Sequence, residues 1–180
     1  MMKSLTLQGL SGELYRLLWI GLQKTFILDE ILMDNIGTLY DQDYFLWLQE
    51  TYRLLDKREL AQLDLPHLKE EILSLGNEQR HKVDSYLRQL LIHLLLYKYW
   101  QSEKDRCAKG WQNEIDNFRF ELDLLLRSRT LYNYFLQEID EMYLKARKQA
   151  IRKSDLSPSL FPTTCPFSVE ELLDSDFFPN

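Results

Sequence analysis

Glycine and proline are scarce, with six and five in 180 residues. That excludes collagen-like, turn-rich β-repeat and linker-dominated architectures. Cysteine is scarcer still. Cys107 and Cys165 supply neither a disulfide framework nor a four-cysteine zinc site, and two reduced thiols suit a cytoplasmic protein. No apolar run approaches the roughly 20 residues of a membrane span. The best one, Leu17-Leu18-Trp19-Ile20-Gly21-Leu22, stops at Arg16 on one side and Gln23-Lys24 on the other. No small-residue cleavage site follows it, so no signal peptide is expected, and the expected location is the cytoplasm without membrane contact. Basic excess is missing too: 22 Lys+Arg stand against 28 Asp+Glu, for a net charge of −6. A nucleic-acid footprint needs the opposite balance.

What is present is apolar content at helical spacing. Hydrophobic residues make up 45% of the chain and aromatics 13%, which rules out wholesale disorder. They recur at three- and four-residue steps, the helical period, and no alternating strand pattern competes. A first helix capped by Asp41 or Asp43 runs to about Lys57, with Tyr44, Leu48, Thr51, Tyr52 and Leu55 expected inside, widened by Trp47 and Leu54. Asp64-Leu65-Pro66 opens a second: the carboxylate accepts from free amides, and proline near the first turn loses no helical bond. It runs to Trp100 with a stripe of Leu68, Ile72, Leu75, Val83, Leu87, Leu90 and Leu94. Leu90 to Tyr97 is apolar nearly all round and predicts the buried centre. Gly76 inside this helix marks a kink or a close approach of another helix.

Residues 101–109 are polar and are expected as a connection. A third helix over 110–127 buries Trp111, Ile115, Phe118, Leu122 and Leu125. A fourth, about 130–153, buries Phe135, Ile139, Met142, Tyr143 and Ala146, then ends in Lys145, Arg147, Lys148, Arg152 and Lys153. Cations suit that end, where unpaired carbonyls carry partial negative charge. The fold expected is all-α: an antiparallel up-and-down bundle of about four long helices.

The ends differ. Four of the five prolines fall in the last 23 residues, among too many leucines and phenylalanines for a free tail. An extended Pro-rich strap over 154–180 is expected to lie across the bundle. Within it Ser168-Val169-Glu170-Glu171 spells a capping box that opens one short helix. The strap carries five acids and no base, so the basic run before it is a candidate partner. At the other end, residues 1–32 read as an extra helix built on Leu14, Leu17, Leu18, Leu22 and Phe26.

From Tyr40-Asp41-Gln42-Asp43-Tyr44-Phe45 to Leu54-Leu55 the chain resembles a bacterial, chiefly cyanobacterial, family known as "domain of unknown function 29". The resemblance continues in Leu63-Asp64-Leu65, Leu68 through Gly76, His93-Leu94-Leu95 before Tyr99-Trp100, and Trp111-Gln112-Asn113-Glu114-Ile115. It closes in Leu160-Phe161-Pro162, Cys165-Pro166-Phe167 and Leu172-Leu173-Asp174. It implies a single all-helical domain over 33–180 and brings no activity or catalytic residue with it. Residues 1–32 have no counterpart in that pattern, and Met33-Asp34-Asn35 makes an ordinary family start. The extension is therefore either a misassigned upstream start or a genuine extra helix.

Chemistry has little equipment here. His67, Glu71, Glu78 and His81 share one polar sector of the second helix, and Glu78-Gln79-Arg80-His81 is a Glu-x-x-His pair. Di-metal bundles need two such pairs plus carboxylates from two further helices. His67 and His81 are also about 21 Å apart along a helix at ~1.5 Å per residue. No metal site, cofactor site or catalytic residue is assigned. His93, at the edge of the buried stripe, reads as a core histidine bonded to a carbonyl or carboxylate. Glu114 and Glu121 either pair with a cation such as Arg88 or reach solvent. No Gly-x-Ser-x-Gly elbow and no phosphate loop occurs. The function expected is a non-enzymatic protein–protein interaction module, self-association included, because Phe120, Leu124 and Leu144 lie off the buried stripes. A nucleic-acid role for the basic run 145–153 and a metal-dependent enzyme are the alternatives.

Overall fold

The computed structural model describes residues 38–180, and every regular element among them is helical. The extra helix expected in 1–32 lies outside the described residues. The chain forms two compact units, one through Leu73 and one from Ser74 onward.

In the first unit, residues 38–42 are helical. Asp43 then caps α1 (Tyr44–Asp56), its carboxylate accepting from the Leu46 amide at 3.0 Å. Arg58, in the left-handed region at φ 60°, turns the chain back. A 3₁₀ turn, Leu60–Gln62, leads into α2 (Leu65–Tyr99). The cap and both helix starts are where the sequence puts them. The buried stripe of α1 is not. Trp47, Thr51 and Leu54 face inward with Leu63, whereas Tyr44, Leu48, Tyr52 and Leu55 are exposed. Apolar side chains occupy about half the circumference of α1, and one flanking helix covers less than that. The large indole takes the inside, where its Nε1 donates to the buried Asp64 carboxylate at 3.2 Å.

The second unit packs the rest of α2 against α3 (Gln101–Leu126), α4 (Arg129–Ser154) and the short α5 (Val169–Leu173). α3 runs back along α2: the Gln112 amide donates to the Tyr97 hydroxyl at 3.1 Å, and Trp100 lies against Trp111. Tyr134 donates to Asp84 at 3.0 Å, which sets α4 beside α2 in the same direction. Leu87, Leu90, Leu91, Ile92, Leu94, Leu95 and Leu96 are buried on every side, as the all-round apolar run requires. Ile115, Leu122, Phe135, Met142, Tyr143 and Ala146 close around them, with Trp111, Phe118, Leu125 and Ile139 at the margin.

Further expectations fail. Residues 101–109 are the opening turns of α3, not a connection. A polar run without glycine or proline has no helix breaker, and Glu103 and Arg106 pair across one turn at 3.6 Å. The α2 stripe also stops early: Ile72 and Leu75 are exposed. Gly76 admits no close neighbour, since a Cβ there would meet nothing within 4 Å.

The strap leaves α4 at Asp155, which sits at φ 56°, and delivers Phe161, Phe167 and Leu172 into the same core. Its backbone is bonded to the helices beneath. Tyr143 donates to the Pro162 carbonyl at 2.6 Å. Arg147 donates to those of Phe161 and Pro158 at 3.0 and 2.7 Å. Arg119 donates to those of Leu172 and Glu171 at 3.0 and 2.9 Å. The basic run thus meets the strap through carbonyls, and Lys145 pairs with Glu141 of its own helix. The capping box forms as written, Ser168 and Glu171 satisfying each other's amides. No described helix is long and apolar enough to cross a membrane.

Two substitutions test this account by chemical unfolding. Leu91→Ala opens a cavity in the fully enclosed stretch and should cost about 2–5 kcal/mol. Gly76→Ala removes chain entropy from an open helix position and should gain about 0.5–1 kcal/mol. A loss at Gly76 would mean that its missing side chain makes room for something.

Candidate functional site

The polar sector of α2 is divided among separate partners. Asp64 is the organising group: it accepts from the His67 amide at 3.4 Å, from the Trp47 indole and from the His67 ring. The His67 ring stacks on Tyr40, centroids 4.1 Å apart and planes within 15°. Glu71 accepts the Tyr40 hydroxyl at 2.6 Å and the Tyr44 hydroxyl at 2.8 Å. That bond to a carboxylate, with partial burial, pushes the Tyr40 phenol up to about 12. The same two hydroxyls hold Glu71 below the usual carboxylate range. Farther along α2, Glu78 pairs with Lys82 at 2.7 Å and His81 is exposed.

His67, Glu71, Glu78 and His81 therefore do not converge, and no group of three or more metal-ligating side chains occurs among the described residues. Tyr40 and Tyr44 are the partners that sequence periodicity passes over, because a phenol bonding to a carboxylate 27 to 31 residues away leaves no local trace.

His93 is the core histidine expected. Its Nδ1 donates to the Gln89 carbonyl at 2.8 Å, Phe118 lies beside the ring, and burial pushes the imidazole below its ordinary range. It stays neutral inside the helix layer. Burial raises the Cys165 thiol, whose sulfur contacts the Phe167 carbonyl at 3.6 Å, so it is a poor nucleophile. Glu114 reaches solvent. Arg119 was not among the expected interior residues and is only 5% exposed. Its position between Ile115 and Leu122 on the inward stripe was the available signal. Beside it, Asp116, Phe120, Asp123, Leu173 and Asp176 line a shallow acidic groove.

The largest unexplained feature is apolar. Phe120, Leu124 and Leu144 are exposed as expected, but they do not cluster: the reversal at 127–128 sets Leu144 level with about residue 112. The first unit exposes far more. Phe45 is 68% exposed, Tyr52 72% and Ile72 61%, alongside Leu48, Leu55 and Leu65. All six are uncharged.

A family model described as "Domain of unknown function DUF29" matches residues 39–178. The chain belongs to that family. Helices α1 to α5, the strap as far as Phe178 and the arginine under it fall within the matched stretch. The chain is also 28% identical over 142 residues to the DNA polymerases of Autographa californica nuclear polyhedrosis virus and Bombyx mori nuclear polyhedrosis virus. The match takes in 74% of this chain and 13% of each polymerase. No solved structure matches it.

Two measurements check the geometry. In an alkaline absorbance titration Tyr40 should ionise near 12, and Glu71→Gln should return it toward 10. Stability that Tyr40 draws from this bond is complete below pH 10 and lost as pH rises through its folded value. Glu71 behaves oppositely: its depressed value makes its contribution complete above the unfolded carboxylate range and lost in acid. Arg119→Met leaves two strap carbonyls unpaired and should cost about 2–3 kcal/mol, with faster amide exchange in 169–173. Unchanged exchange there would dissociate Arg119 from strap docking.

Proposed function

We propose that this DUF29 member is a cytoplasmic protein–protein interaction module that performs no chemistry of its own, and that α1 with the start of α2 is its docking element. The observation that carries this reading is the exposure of the apolar side chains Phe45, Leu48, Tyr52, Leu55, Leu65 and Ile72. Single exposed leucines are ordinary on a protein surface. A contiguous patch beyond a few hundred Å² is the mark of an interface. Helical spacing favours a helical partner, whose apolar stripe would lie along the same steps. The titratable groups support the absence of chemistry: His67, Glu71 and His93 are each bonded within the fold.

A nucleic-acid role has one specific support, the partial likeness to viral DNA polymerases. Against it, Arg147 is spent on strap carbonyls and Lys145 on Glu141, which thins the run 145–153 to Lys148, Arg152 and Lys153. Binding by so few phosphate contacts should be weak and collapse with added salt.

The test is a photo-crosslinking residue in place of Tyr52, irradiated in cells. The expected result is a covalent adduct with a polypeptide at Tyr52 and none when the same probe replaces exposed Glu114. No adduct at Tyr52 would remove the docking reading.

A further inference from the structure

We infer that the groove between α3 and the end of the strap seats an extended segment of a partner polypeptide, which sets an arginine or lysine against Asp116 and Asp176 and a main-chain carbonyl on Arg119. This surface belongs to the second unit and is separate from the α1 docking element.

The first argument is charge. Asp116, Phe120 and Asp123 lie at steps of four and three on α3, so one face of the helix carries all three, with Arg119 beside them. The strap supplies the other wall through Leu173, Ser175 and Asp176, and the space between is about 560 Å³, within the range of ligand sites. Three carboxylates stand there against the one guanidinium of Arg119, and Asp174 is close by. Two of these four acids are engaged: Asp123 pairs with Arg127 at 3.1 Å, and Asp174 accepts the Asp176 amide at 2.9 Å. The carboxylates of Asp116 and Asp176 are exposed and take no ion pair or hydrogen bond among the described residues. Next to them the Phe120 ring is 60% exposed, and a ring beside carboxylates suits a cation that sheds water onto its face. The row already holds one such group, the Arg127 guanidinium on Asp123. The groove continues past Asp123 and Leu173 to Arg127 and Tyr132, which gives it the length for a stretch of chain.

The second argument selects a polypeptide. Arg119 lines the groove and is only 5% exposed. It donates through Nε and Nη2 to the strap carbonyls of Leu172 and Glu171, while Nη1 is buried with no acceptor. A buried donor left unpaired marks a place where an acceptor is due. A polyamine brings only donors and positive charge, and a nucleic acid brings phosphates toward carboxylates. A polypeptide brings both things the groove lacks, a cation on a side chain and a carbonyl on the backbone. The segment is extended, because the carbonyls of a helix are bonded to its own amides. The basic run 145–153 of another copy lies in α4 and does not meet that requirement.

Nuclear magnetic resonance of the isotope-labelled full chain tests this with a blocked pentapeptide of alternating arginine and leucine. The expected result is saturable shifts in the amides of 116–126 and 172–177 and in the Arg119 side-chain Nε, at millimolar peptide or below. Asp116→Asn with Asp176→Asn should weaken binding about tenfold, and since both positions are in water the spectrum outside the groove should stay as it is. If that double variant fails to fold, Phe120→Ser, exposed on the same row, should show a comparable loss. Spermidine, and a pentapeptide with glutamate in place of arginine, should produce none of these shifts. Spermidine reproducing them shows attraction of counter-ions alone and overturns the inference. So does a response to the glutamate peptide, silence at millimolar arginine peptide, or affinity indifferent to the groove variants. Loss of binding on Tyr52→Glu would place the peptide on α1 and overturn it as well, while leaving the docking reading intact.

Discussion

Between Leu87 and Leu96 the second helix has almost no polar side to offer water. Leu90, Leu91, Ile92, Leu94, Leu95 and Leu96 are all enclosed, and they point in every direction around the axis. Two neighbouring helices, α3 and α4, cannot surround such a cylinder. The third side is taken by the strap, which contributes Phe161, Phe167 and Leu172. Strap chain carries backbone carbonyls that a helix would have satisfied internally, and these must find donors wherever they are laid down. Tyr143, Arg147 and Arg119 provide them. Burial of one leucine-rich stretch thereby dictates a proline-rich cover and buried or half-buried donors in the two helices beneath it.

Helix type, the starts of α1 and α2 and the central location of 87–96 were legible because each has a local cause: a capping carboxylate, a proline in the first turn, a period near 3.6. Ser168 and Glu171 were legible for the same reason. The inward face of α1 was not. Tyr44, Leu48, Tyr52 and Leu55 are as apolar as Trp47 and Leu54, and periodicity cannot say which half of a wide stripe a single neighbour will cover. The indole settles the matter through Asp64, a residue 17 positions away. Residues 101–109 misled in the opposite way, since polarity was taken for a break when nothing in the run interrupts a helix. Arg119 was hidden by its type, because a cation in a stripe reads as an edge residue until the carbonyls it serves are known.

The candidate site follows the same division. His67 and Glu71 stood out by chemistry, and the structure commits them to Asp64, Tyr40 and Tyr44 within one self-satisfied cluster. Periodicity places Leu48, Tyr52, Leu55 and Ile72 of the hairpin in an interior, and the structure leaves them in water. Reassigning them from core to water changes the question from catalysis to contact. Among the described residues of the first unit, Trp47, Leu54 and Leu63 are enclosed.

The strap has a bearing on how the chain matures. The second unit's centre is walled in part by side chains that follow it by about sixty-five or more positions, so α2 leaves the ribosome long before Leu172 exists to shut it in. During that interval the most apolar stretch of the molecule has one side bare, and assembly of the finished centre is delayed until synthesis has passed the short helix 169–173.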